Sequence, residues 1–365
     1  MSSSPNLPLE VIETVIDTLA RDDPGFSSLK TCSLACQCFL ELCRKHIFAS
    51  ITIKDGKYSI QNRTALVRLL SSTPEIAYHI RELVWHTITI EDFEDPSLPG
   101  ILKTITKLQS LSIGNSFRLD HPWRENCLRP ALLHLLHLPT LLRLSISRIP
   151  HFDFADLISC TNLRELSIAH MEYVETEQSF PSTLSHTPIQ LHCLSFCWGC
   201  SKTISVLGRP DTRPIFNFAV LASITLVLED TKTFEASREL FQNCSQLIKV
   251  RILLVSPPLT WTGIAKMLKP SMETLTHLDI QTGLPEERNI LETDDLLAGL
   301  VAELEEIRHC QNEEPYSQIV KAKDQLSLLF VNSTRIHDAP LLGVYLGIPP
   351  MTPSRTGHQM LQFAV

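Results

Sequence analysis

The chain has 365 residues, 44% of them hydrophobic, and a net charge of −8. Single cores stop growing at roughly 250–300 residues, so two units or one elongated array are expected. The acidic balance opposes non-specific nucleic-acid binding, which needs clustered Lys and Arg. In chain order, residues 1–4 are expected to be disordered, and the opening MSSSPNLPLEV lacks the basic and apolar regions of a secretory signal. Leu7-Pro8 then opens a helical pattern, since proline suits a first turn. Leu9, Ile12, Ile16 and Leu19 follow on one helix face. Asp22-Asp23-Pro24-Gly25 breaks it. A second helical stretch carries Leu29, Cys32, Cys36, Phe39, Cys43 and Ile47, and Ser50–Ile53 reads as a short strand.

These segments, LPLEVIETVIDTL, SLKTCSLACQCFLELCRKHIF and SITI, resemble an F-box. The adjoining TALVRLLSSTPEIAYHIRELVW is similar to its continuation in F-box-like proteins of mushroom-forming fungi. The resemblance implies a three-helix module over residues 5–50 that docks on the small Skp-family adaptor, and through it on a cullin, in an SCF-type ubiquitin ligase. The positions matching the contact pattern are Leu7, Pro8, Ile12, Ile16, Leu19, Leu29, Cys36 and Phe39. Phe39 stands where the family often has Trp. The bland alternative is a pair of amphipathic helices that only cap the open end of a repeat array.

Beyond this, Leu-x-x-Leu-x-Leu recurs. It begins at Ile80, Leu108, Leu141, Leu163, Leu191, Leu221, Leu247 and Leu275, eight units at an average spacing of about 28 residues. The last two apolar positions alternate with polar or small ones, which predicts a strand with one buried face. Between units lie helical spacings, such as Leu128, Leu132, Leu135 and Leu136, or Ile264, Met267 and Leu268. The array resembles leucine-rich repeats. The fold class this implies is α/β: a short all-α N-terminal module, then an irregular solenoid over 51–338 with parallel strands on one face and helices on the other. The family's ninth-position Asn is missing, since Ser116, Ile149, Met171 and Gly199 stand there. A plain α/β domain with short parallel strands remains the alternative.

Residues between the apolar strand positions point outward, on the face that leucine-rich repeats often use for binding. The middle position is Ser112, Ser145, Ser167 and Ser195 in successive units. Lys249, Arg251, His277 and Asp279 gather in the last two. With Arg143 and Glu165 these are the candidate contacts for an unknown target protein; ordinary solvated strand is the competing reading. Thr293 caps an acidic helix near 293–309 with Leu296, Leu300, Leu304 and Ile307 inward, expected to close the array. Residues 339–365, rich in Pro and Gly, are expected to be irregular or disordered.

Chemistry-bearing motifs are sparse. No glycines lie closer than Gly343 and Gly347, which excludes the dinucleotide fingerprint and the P-loop. H-E-x-x-H and G-x-S-x-G are absent. Cys32, Cys36, Cys38 and Cys43 invite zinc, but three of them lie on the apolar stripe, where Cys acts as a small hydrophobe. Cys197-Trp198-Gly199-Cys200 has dithiol spacing without a thioredoxin-like context. No stretch approaches the roughly 18 charge-free apolar residues of a membrane span. Eleven cysteines, an odd count, fit free thiols in the cytoplasm or nucleus. The expectation is a non-enzyme with no metal, cofactor, nucleic-acid or membrane partner: a ligase substrate receptor. A scaffold without a ubiquitin role is the first alternative, and a thiol oxidoreductase using Cys197 and Cys200 the second.

Overall fold

The computed structural model describes residues 8–23, 25–53, 59–88, 96–115, 123–125, 127–171, 187–208, 215–254, 263–283, 302, 329–336 and 339–347. It is a mixed α/β structure with a mostly parallel sheet.

Three helices come first: α1 (Leu9–Asp22), α2 (Ser27–Cys32) and α3 (Gln37–Ile47). Ile16, Leu29, Leu42 and Cys43 form their buried core, with Ile12, Leu19, Cys32, Phe39 and Ile47 packed around it. Asp23 ends α1 and starts α2. Its carboxylate accepts from Ser28 N–H (2.8 Å), Ser27 Oγ (2.8 Å) and Gly25 N–H (3.1 Å). These bonds stabilise the anion and hold its pKa at about 2. Lys45–Glu13 (3.1 Å) and His46–Asp17 (2.8 Å) tie α3 to α1.

The second helical stretch, continuous in the sequence pattern, is broken at 33–36. Leu34 N–H bonds to Thr31 O and Ala35 N–H to Cys32 O, both i→i−3, and Cys36 is extended at φ −162, ψ 167. Ser33 Oγ donates to the Lys30 carbonyl at 2.7 Å, a side-chain competitor that favours a helix end. The apolar spacing stays in phase across this turn, so periodicity alone does not register it.

Strand β1 (Ser50–Ile53) follows, then α4 (Ser59–Ser72), β2 (Glu82–Ile88), α5 (Leu98–Leu102), β3 (Ser110–Asn115), α6 (Arg129–Leu136), β4 (Arg143–Ser147) and β5 (Glu165–Ala169). Next come β6 (Ile189–Gln190), β7 (Cys193–Phe196), α7 (Ser201–Gly208), β8 (Phe216–Asn217), β9 (Ser223–Leu228), α8 (Thr231–Phe241), β10 (Lys249–Leu254), α9 (Ile264–Leu268) and β11 (His277–Gly283). Every repeated motif thus carries a strand. β6 and β8 make a separate two-stranded sheet that the repeat pattern does not anticipate. Nine strands of the main sheet, β1-β2-β3-β4-β5-β7-β9-β10-β11, are parallel and follow one another in chain order.

The register never slips at the motif positions. Leu83, Leu111, Leu144, Leu166, Leu194, Ile224, Val250 and Leu278 stand side by side. A recurring backbone device accompanies this alignment. The carbonyls of Ala49, Arg81, Gln109, Leu142, Arg164, His192, Ala222 and Ile248 each accept two N–H groups where the next strand begins, at 2.7–3.0 Å. One acceptor with two lone pairs can serve both donors. Side-chain bonds to backbone carbonyls also join neighbouring units. Asn162 Nδ2 donates to Pro139 O (2.8 Å), Thr140 Oγ1 to Leu108 O (2.7 Å) and Thr274 Oγ1 to Leu247 O (2.9 Å).

Inward strand residues share one core cluster with Leu66 and Leu70 of α4, Leu132 and Leu135 of α6, Leu240 and Phe241 of α8, and Met267 and Leu268 of α9. Helices therefore cover the face that the apolar ladders present.

One expectation is overturned. Residues 339–347, anticipated as irregular, form strand β13 (Ala339–Gly347), paired with β12 (Leu329–Ile336) and antiparallel to β11. Pro340 lies at the strand's start, where a missing N–H is tolerated, and Leu341, Leu342, Val344, Tyr345 and Leu346 favour strand. Composition counts the Pro and Gly but not this run. Residues 348–365 lie outside the described residues, as do residues 1–4. So does the closing helix near 293–309, apart from Ala302, which is helical and exposed.

Candidate functional site

Two surfaces hold the residues singled out from the sequence. The first is on the N-terminal helices. Leu7 lies outside the described residues. Pro8 is exposed at the start of α1, and its carbonyl accepts from Val11 and Ile12 N–H. Cys36 is exposed at the start of α3. Ile12, Leu19 and Phe39 are half-buried against the three-helix core. Two candidates must be corrected: Ile16 (3% exposed) and Leu29 (0%) are core residues of the helices themselves. Their side chains hold α1, α2 and α3 together and have no surface left for a partner.

The exposed apolar side chains here are others: Leu9 (50%), Val11 (44%), Val15 (53%) and Leu34 (86%). The sequence carried a signal for them. Val11 and Val15, one turn apart, form a second apolar stripe beside Ile12, Ile16 and Leu19. Leu34 carries no such signal, because the helical spacing of Leu29, Cys32 and Cys36 runs straight through its turn.

The second surface is the outward face of the main sheet. Register places Val84, Ser112, Ser145, Ser167, Ser195, Thr225, Arg251 and Asp279 in one row. Glu82, Ser110, Arg143, Glu165, Cys193, Ser223, Lys249 and His277 form the row beside it. The alternation read from the sequence therefore holds, and Arg143, Glu165 and Lys249 are exposed. Arg143 and Glu165 are direct neighbours of opposite charge. Asp279 differs from expectation. It is only 6% exposed and accepts from Arg251 Nε at 2.7 Å, so its charge is consumed inside the protein. Gly114 lies on the same face, where a Cβ would stand 2.2 Å from Ser147 Oγ.

Among the described cysteines, every resolved shift of the thiol is upward. Burial pushes the Cys200 thiol up to about 12 and raises Cys193 and Cys197. An oxidoreductase dithiol needs the reverse shift. Cys160 and Cys244 are likewise raised to about 12 by burial. No His, Cys, Asp or Glu group among the described residues has metal-binding geometry. A shallow cleft of about 390 Å³ lies between α7 and α8, lined by Ser205, Thr231, Lys232, Glu235, Ala236 and Glu239, away from both surfaces. Among the described residues no helix is long and apolar enough to cross a membrane. Compared with models of known families and with curated proteins, the chain matches none.

Proposed function

We propose that this chain is a substrate receptor of an SCF-type cullin–RING ubiquitin ligase. Residues 5–50 act as an F-box-like module on a Skp-family adaptor. The strands and helices from residue 51 form an irregular leucine-rich-repeat solenoid that holds a target protein. The observation that carries the reading is the apolar surface left uncovered on α1 and on the turn after α2: Leu9, Val11, Val15 and Leu34. A segment with so small a core of its own gains by covering such side chains with a partner, at ~25 cal/mol per Å² of apolar area removed from water. The solenoid supplies a polar outward face of the kind that specific recognition uses. The mechanism is proximity: the adaptor raises the effective concentration of target lysines near a ubiquitin-loaded enzyme, so no catalytic residue, metal or cofactor of this chain is required. The cytoplasm or nucleus is the compartment that fits.

Co-purification with the adaptor tests this. Wild type is expected to capture it, and Val15→Asp and Leu34→Asp to lose it. Both positions are exposed, so the fold survives these changes. Ile12→Asp gives the same loss with some destabilisation. Absence of capture by wild type would overturn the ligase role and leave a scaffold without ubiquitin chemistry.

A further inference from the structure

On the outward face of the sheet, Arg251 of β10 and Asp279 of β11 form an ion pair of unequal exposure. Arg251 is half exposed, with 48% of its side chain in solvent, while its partner Asp279 retains only 8%. The bond between them runs from Nε at 2.7 Å, and among the described residues no other acceptor holds this guanidinium. Binding at Nε leaves the two terminal nitrogens without an acceptor among the described residues, and such a pair forms the fork that matches a second acid group. Lys249 stands two residues earlier on the same strand face, ~7 Å away, and is exposed. His277 is its register partner on β11, with Nδ1 2.8 Å from Thr276 Oγ1.

Three donor-bearing side chains thus surround one point on β10–β11, and the acid among them already has its partner. The next strand offers Ser223 and Thr225 in register, side chains short enough to let another backbone approach. Farther along, Arg143 and Glu165 face each other with opposite charges, so the excess of positive charge is local to β10–β11. It is opposite in sign to the chain's net −8.

We infer that the outward face of β10 and β11 is an oxyanion-binding patch that receives the carboxylates of an acidic, extended segment of the target. This rests on the reading of the sheet face as the target-binding surface, and not on the adaptor. Arg251 takes one carboxylate through its terminal nitrogens, Lys249 and His277 hold a neighbouring one, and Asp279 positions Arg251. Two permanent cations are too few for nucleic acid, whose affinity grows with the number of phosphates neutralised.

The test is fluorescence anisotropy of the full chain with a labelled Ser-Glu repeat peptide, and with a Ser-Lys repeat as control, at low salt and at about 0.15 M. The acidic peptide is expected to bind, more weakly as salt rises, and the basic one not to bind. Lys249→Glu and Arg251→Gln should each weaken binding about tenfold or more, the loss of one charge-assisted bond. Asp279→Asn keeps the shape but frees the guanidinium to turn, and should weaken binding while Lys249 is intact. Because Arg251 and Asp279 also hold each other, the Lys249 variant decides the matter if either of the others unfolds. No binding, equal binding of both peptides, or indifference to Lys249→Glu would overturn the patch. Tighter binding of a single-stranded oligonucleotide than of the acidic peptide would overturn it too. Adaptor capture is scored on the same preparations. Capture without peptide binding overturns this inference alone; peptide binding without capture supports it and removes the ligase role.

Discussion

The N-terminal helices and the strand array solve the same problem in opposite ways. The helices bury four core residues, Ile16, Leu29, Leu42 and Cys43, and leave Leu34 at 86% and Val15 at 53% exposed. In the array, strand after strand places its apolar positions against helices on one side and its polar positions outward. The difference teaches that an apolar stripe has two possible meanings. In the array it is satisfied by the same chain. On α1 and the 33–36 turn it is partly left over.

Leucine-to-alanine changes in the two regions break the comparison most sharply. Leu166, at 2% exposure in β5, sits in the middle of a ladder with Leu144 and Leu194. Leu166→Ala should cost ~2–5 kcal/mol, read as a drop in the urea midpoint at unchanged slope. Gly114→Ala comes next, at about 1–3 kcal/mol, because the new Cβ meets Ser147 Oγ and, at 3.2 Å, the Ser147 carbonyl. Combining it with Ser147→Ala should recover part of that loss.

Acid titration sharpens the helical side. The pKa of Asp23 is about 2 in the folded chain, against an ordinary value of 3.8 once the fold is lost. The unfolded state therefore binds the proton first, and stability rises with pH across that window. The contribution is full above 3.8 and is lost as pH falls through about 2. Asp23→Asn should flatten the acid limb of the helical transition followed by circular dichroism. The smallest effect is expected at Leu34→Ala: stability within about 0.5 kcal/mol of wild type, since Leu34 is already 86% exposed, together with weaker adaptor capture if the proposed docking holds.

Periodicity sets the limit on how much of this was legible in the sequence. The frame Leu-x-x-Leu-x-Ile encodes both the strand and its register, so the array was readable down to which residues stand side by side, Ser145 beside Ser167 and Lys249 beside His277. Alternation gave the direction of Asp279 but not its burial, because a neighbouring strand and an arginine decide that. On the helices, the spacing that located Ile16 and Leu29 could not say whether their cover was a partner or α3. Strand β13 was missed because its partner, β11, lies about sixty residues earlier in the chain.

The shared register has a consequence for how such a chain can change. The starts of successive motifs are 22 to 33 residues apart, yet the aligned leucines never move out of line. The eight doubly bonded carbonyls set each strand against its neighbour at its entry point, so the length of the connector behind it is immaterial to the sheet. Insertions and deletions can accumulate in the connectors without cost to alignment, whereas a single residue added inside a strand would turn every side chain beyond it to the wrong side. The molecule is rigid in its grammar and free in its punctuation.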